Sequence, residues 1–203
     1  GSLQVGFENA NRTPSYLLRN NSGFPVKAPA NGTHKENITH LFTTLNVPAL
    51  QLQLSGHYYL IGNYAYFKNF YEADQQTAPF NVLQIKGSKD FRISKFWHWY
   101  TDVAVQKTAG NTPVNIPLLY LRNRIVFQGQ FFRNLNIALG LDSRYYTPYT
   151  ADNYSPVTGQ FFPQDSIRIA NLPDIAAFVN FRIRSFSAFV RLENLNTLKL
   201  DGF

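Results

Sequence analysis

Residues 134–146 read NLNIALGLDSRYY. Leu135, Ile137, Leu139 and Leu141 recur at every second position, with Asn134, Asn136, Ala138, Gly140, Asp142 and Arg144 between them. Successive side chains point to opposite faces only in an extended chain, so this is a strand with one apolar face and one polar or small face. The same period returns elsewhere. Residues 174–184 set Ile175, Ala177, Val179, Phe181 and Ile183 against Asp174, Asn180, Arg182 and Arg184. Residues 186–193 set Phe186, Val190 and Leu192 against Ser187, Arg191 and Glu193. Upstream, Leu50, Leu52, Leu54, Tyr58 and Leu60 oppose Gln51, Gln53, Ser55, His57 and Tyr59. Trp97, Trp99, Val103 and Val105 oppose His98, Tyr100, Asp102 and Gln106. No segment of helical length carries a 3.6-residue period, so the chain reads as all-β.

Nine strands are predicted, over roughly 2–18, 37–46, 50–71, 80–92, 95–107, 117–131, 134–147, 174–184 and 186–196. Their connections alternate in length. Short ones fall at 46–49, 92–95, 131–134 and 184–186, and long ones at 19–36, 72–79, 108–116 and 148–173. In an antiparallel meander alternate connections emerge on the same side. All the short turns are therefore expected on one rim and all the long loops on the other, which is how an up-and-down transmembrane β-barrel is built. Strands longer than ten residues agree, because a tilted spanning strand needs about 9–11 and a soluble one averages 5–6. Alternation with aromatics also suits a soluble sandwich or lipocalin-like barrel with the apolar face inward. That alternative gives no reason for the loops to be sorted by length. Trp97, Trp99, Phe131 and Phe132 fall beside short turns, and Tyr145, Tyr146 and Tyr149 at the long-loop end, as two interfacial aromatic belts require.

Composition narrows the function classes. The 203 residues include 18 Phe and 12 Tyr but only 15% charged residues. With no Cys, disulfide scaffolds, thiolate metal sites and cysteine nucleophiles are excluded. There is also no Met, so the chain is expected to be a fragment or a processed form. No run of 18 apolar residues exists to make a helical span. The net charge of +7 is scattered, and nucleic-acid binding, which leaves a clustered basic stripe, is not expected.

Several stretches resemble the putative porins of the Bacteroidetes phylum. One is a D-x-R-Y-x-T-x-Y-x-A-x-x-Y-x-P passage made by Asp142, Arg144, Tyr145, Thr147, Tyr149, Ala151, Tyr154 and Pro156. Another is Gly159–Gln160–Phe161, followed by Asp174 with Phe178, Val179, Asn180 and Phe181. Asn81, Val82, Leu83 and Gln84, and Pro117, Leu118, Leu119 and Tyr120, also look like the family. The resemblance is specific from about residue 80 onward and looser before it. It implies a bacterial outer-membrane barrel that passes small solutes, with no catalytic residues to carry over. Family members are longer, so the chain is expected to be one partial barrel domain, the C-terminal portion lacking its last strand. Nine strands is odd, whereas bacterial barrels have an even number. More of the same chain, or another chain, is expected to complete it. Phe203 resembles a terminal barrel-assembly aromatic but falls in a loop on this topology.

The pore-lining candidates are His98, Tyr120, Arg122, Arg124, Asp142, Arg144, Arg182, Arg191 and Glu193. Read functionally, the charged ones form an eyelet that tunes ion selectivity. Read structurally, they pair across strands and fill a narrow bore. The loop 148–173, with Tyr149, Tyr154, Phe161 and Phe162, is expected to be ordered and external, as a constriction, a cap or a docking element. None of His34, His40, His57 and His98 has ligand spacing beyond His98 with Asp102 on one face, so no metal site is expected. No G-x-S-x-G or triad spacing occurs, so no enzyme and no cofactor are expected. Two functions stand: a passive diffusion channel for small solutes or ions, and a plugged barrel serving as a subunit of a larger outer-membrane assembly. The expected partners are the lipid bilayer, the remainder of the barrel, and possible further proteins of a membrane complex.

Overall fold

The computed structural model describes residues 1–19, 26–30, 32–110, 112–131, 134–169 and 173–197. Phe132 and Phe203, singled out above, lie outside the described residues. Nine strands form one antiparallel sheet in strict chain order: β1 Ser2–Arg12, β2 Glu36–Val47, β3 Leu52–Gly62, β4 Phe80–Arg92, β5 Trp97–Ala109, β6 Leu119–Phe131, β7 Leu135–Tyr146, β8 Asp174–Ile183 and β9 Phe186–Leu192. Each strand pairs only with its chain neighbours, so the sheet is an up-and-down meander with β1 and β9 at its edges. The short and long connections fall on opposite rims, as their alternation required.

Three predicted strands run too long, and for local reasons. The strand read over 2–18 ends at Arg12, where Pro14 follows and a short helix Tyr16–Arg19 begins. The one read over 50–71 ends at Gly62. Asn63 takes a positive φ of 55° there, its Nδ2 donates to Lys35 O, and its O accepts from Gln75 Nε2. Beyond it Tyr64–Phe67 turns back on Ala73–Gln76 as a separate hairpin. At the other end Leu50 belongs to a 3₁₀ turn, Pro48–Leu50, closed by a left-handed Gln51. The last strand stops at Leu192 rather than near 196, and Asn194 has φ 57°. Two further small hairpins pair Tyr149–Thr150 with Arg168–Ile169 and Asn153–Ser155 with Gln160–Phe162 within the longest loop.

The burial of the sheet is inverted relative to a soluble β-protein. Outward positions such as Leu41, Leu54, Leu83, Ile85, Ile125, Leu139, Leu141 and Val179 remain 40–54% exposed, whereas Asp142 on the other face is 2% exposed. The sheet curls toward its polar face, where Val126, Asp142 and Ala176 are buried, and a hollow of about 360 Å3 on that concave side touches Asn46, Gln53, Ser88, Tyr100 and Arg124, one from each of five successive strands. At the short-turn rim the apolar face carries aromatic contacts, with Phe91 stacked on Trp99 at 4.9 Å and Trp97 edge-on to Phe127 at 5.3 Å.

The conventional core lies in the long loops. Val26, Phe67, Ala73 and Phe162 are buried together, with Leu17 and Leu18 packed against them, so all four long-range partners come from loops on one rim. Backbone bonds stitch these loops: Lys27 N donates to Tyr71 O at 2.7 Å and Ala73 N to Lys27 O at 2.9 Å. Ser155, fully buried, donates from Oγ to Phe70 O at 2.6 Å, and Asn115 Nδ2 donates to Gln164 O at 2.9 Å. Among the described residues no helix is long and apolar enough to cross a membrane, a test that does not apply to strands.

Candidate functional site

Register decides which polar side chains meet. Tyr100 of β5 stands opposite Arg124 of β6, and Arg124 opposite Asp142 of β7. One pair along, Asp102, Arg122, Arg144 and Asp174 make a single row across β5, β6, β7 and β8. A charged patch follows. Arg122 grips Asp142 with two parallel bonds, Nε to Oδ1 at 2.9 Å and Nη2 to Oδ2 at 2.7 Å. This fork geometry is the strong form of a charge-assisted bond. Arg144 and Arg191 approach the same Oδ2 at 3.7 and 3.6 Å. Arg191 also bonds Glu193 at 2.9 Å, and Arg144 reaches Asp174 Oδ2 at 3.9 Å. Arg191 reaches the patch from β9, 49 positions from Asp142; in register it stands opposite Phe178, which in turn stands opposite Gly140. A Cβ on Gly140 would sit 2.3 Å from Ile125 O and 3.0 Å from the Phe178 ring.

The other candidates divide. Arg124 lies over the Tyr100 ring at 4.7 Å, and Tyr120 contacts Tyr146 at 5.4 Å between ring centres. His98 is not paired with Asp102 on its own strand. Its Nδ1 lies 3.4 Å from Asp90 Oδ1 across the β4–β5 pair, and its ring stacks on Tyr100. Arg182 stands apart from the patch, donating to Arg184 O, and lines a hollow of about 870 Å3 with Gln128, Asn136, Asn180 and Ser187. Of the loop residues, Phe162 is buried at 5% and Phe161 is 67% exposed, its ring 5.2 Å from that of the exposed Tyr154. Tyr149 sits in the small pairing with Ile169.

A second polar cluster was not singled out from the sequence. Glu8, His40, His57 and Ser55 form a chain across β1, β2 and β3, with His40 Nε2 and His57 Nδ1 3.1 Å apart and Glu8 Oε2 3.3 Å from His40 Nδ1. Tyr59 stacks on His40 at 4.2 Å. Parity alone puts His57 on the polar face; only the β2–β3 register brings His40 beside it. Among the described residues no three His, Asp or Glu converge as metal ligands.

The loop layer has its own electrostatics. Bonds from Asn69 and Lys27 hold the Glu72 carboxyl below its ordinary range. Burial pushes the Asp152 carboxyl up, against a bond from Asn115. Glu36, 3% exposed at the base of this layer, accepts from Ala65 N at 2.9 Å and from Arg12 Nε at 2.5 Å.

A meander of long strands that exposes its apolar face and gathers its charges on the concave one defines a protein of the β-barrel class. The family model described as "Putative porin" matches residues 1–202, and the chain belongs to that family. No curated protein and no solved structure matches it.

Proposed function

We propose that the chain forms wall of a diffusion channel in the bacterial outer membrane, its apolar face against lipid and its concave polar face lining the water path. The observation that carries this reading is the inverted burial: Leu141 is 52% exposed while its neighbour Asp142 is 2% exposed. Water would drive the opposite arrangement, and hydrocarbon favours this one. The dimensions agree. Outward apolar positions on β5 run from Trp97 to Val105, about 27 Å along the strand, or about 20 Å of height at the usual tilt. Above them Asn81 and Lys107 stand on the same face toward the long-loop rim. The unpaired edges β1 and β9 have no place in hydrocarbon, so further strands, of this chain or another, close the barrel.

On this reading Arg122, Arg124, Arg144, Arg182 and Arg191 face the water path with Asp102, Asp142, Asp174 and Glu193. The small positive excess gives a weak preference for anions. Reversal potentials of the whole protein in planar bilayers under a salt gradient test this. An anion-selective conductance is expected, and cation selectivity or no conductance would refute it. The packing of the long loops into one layer favours a second reading, a plugged barrel that docks other proteins, and that reading predicts no conductance. Sidedness is tested separately by introducing single cysteines. Val157→Cys, 46% exposed in the long loop, should label on intact cells with an impermeant maleimide, and Ser94→Cys in a short turn should not.

A further inference from the structure

On the apolar face the outward side chains are interrupted at Gly87. Its neighbours across the sheet are Leu54 and Val103, and with no side chain at Gly87 only the end of Leu54 leans over the position. The result is a groove of about 360 Å3 walled by Leu52, Leu54, Ile85, Phe91, Val103 and Val105. It begins near the short-turn rim, at Leu52 and Phe91, and runs along β4 toward the middle of the sheet at Ile85. That is the direction of an acyl chain in a bilayer leaflet.

Lys89 stands at the rim end of this groove, on the same face as Gly87, opposite Leu52 and Thr101. A lysine on an apolar barrel face costs free energy unless its ammonium reaches polar surroundings. Here the stem lies along Phe91, with Nζ 5.0 Å from the ring centre, and Nζ donates to Leu50 O in the adjoining turn at 3.1 Å. The ammonium is thus held at headgroup level, directly beyond the groove. The one acid of that segment, Asp90, turns to the concave face and meets His98, and Arg92, in register with His98, shares that face, whereas Lys89 stands on the groove side.

Resting on the membrane reading above, we propose that this groove is a binding site for one anionic phospholipid. An acyl chain fills the gap at Gly87, and the phosphate pairs with the Lys89 ammonium. The occupant follows from charge complementarity: an apolar slot ending in the Lys89 ammonium fits a lipid whose chain ends in an anion.

The protein supplies its own probe. Its two tryptophans are Trp97 and Trp99, and Trp99 stacks on Phe91 at the groove wall. The whole protein is inserted into phosphatidylcholine vesicles containing either brominated phosphatidylcholine or brominated phosphatidylglycerol, and quenching of tryptophan fluorescence is followed against mole fraction. Insertion is checked independently by heat-dependent gel mobility. Phosphatidylglycerol should quench with about fivefold higher apparent affinity, the effect of one basic side chain at an anionic headgroup. Lys89→Gln should bring the ratio close to one. Gly87→Leu, which fills the slot, should also lower it; its Cβ would meet only the flexible end of Leu54, at 3.2 Å. Equal quenching by the two lipids in the native protein would overturn the proposal, and so would a preference that survives Gly87→Leu. If Lys89→Gln does not insert, those two comparisons still decide. Insertion without lipid preference refutes only the site, whereas failure of the native protein to insert refutes the membrane reading as well.

Discussion

Leu139 and Ala138 are adjacent in β7, at one depth and on opposite faces, so arginine at each position asks which face meets hydrocarbon. Leu139 is 40% exposed on the apolar face, between Phe127 and Val179 in register. It lies four residues in from Leu135, about 13 Å along the strand and about 10 Å above the short-turn rim at the usual tilt. That is near the middle of an apolar band about 25 Å tall, where an outward arginine costs about 2–4 kcal/mol. The loss corresponds to roughly 30- to 700-fold in the folding equilibrium. Ala138 instead borders the polar hollow of about 870 Å3 with Gln128 and Asn180, which has room for an arginine and water beside it. Ala138→Arg should therefore cost less than about 1 kcal/mol, the range of a change away from any packed or buried contact. Reversible urea titrations in phosphatidylcholine vesicles, followed by tryptophan fluorescence, measure both. If Ala138→Arg proves as costly as Leu139→Arg, or costlier, the assignment of the apolar face to lipid is wrong.

Removing the Asp142 carboxylate leaves three guanidiniums facing one another. Because each is about a quarter to a third exposed, Asp142→Ala should cost about 3 kcal/mol, the low end for a broken buried pair, measurable in the same titration. Phe162→Ala opens a cavity in the loop core and should cost that layer about 3 kcal/mol; limited proteolysis should then cut within 148–169 while the strands stay protected. Glu72 gives the loop layer a pH dependence. Its folded-state pKa is depressed, so the stability it contributes is present above the ordinary carboxylate range and is lost as pH falls through its folded value. Amide protection factors around Lys27 and Tyr71, corrected for intrinsic exchange, should fall under acid conditions, and Glu72→Gln should remove that fall; an unchanged acid response in Glu72→Gln would count against the Lys27–Glu72 contact.

Much of the fold was determined by the sequence alone, because the signals that specify a strand are local. Alternation of Leu135, Ile137, Leu139 and Leu141 names the strand and its apolar face without reference to any other segment. The alternating lengths of the connections then sort the rims, since a meander leaves no other choice. The misjudged strand ends were also local, but they turned on backbone conformation. Asn63 could have continued the strand, and its positive φ is held by contacts with Lys35 and Gln75 that lie far from it in the chain.

What only the tertiary structure decided is which residues meet. Sliding two strands past one another by two residues keeps every side chain on its face but changes every cross-strand partner, so parity leaves register open. Arg122 and Arg191 were legible as polar-face residues; that both converge on Asp142, while Arg182 does not, depends on the registers of β6–β7, β7–β8 and β8–β9. The same holds for His40 beside His57, and for the slot at Gly87, which exists because Leu54 and Val103 come to either side of it. The loop core lies further still from local reading. Val26, Phe67, Ala73 and Phe162 carry no period, and they are buried together because the sheet delivers three separate loops to one rim.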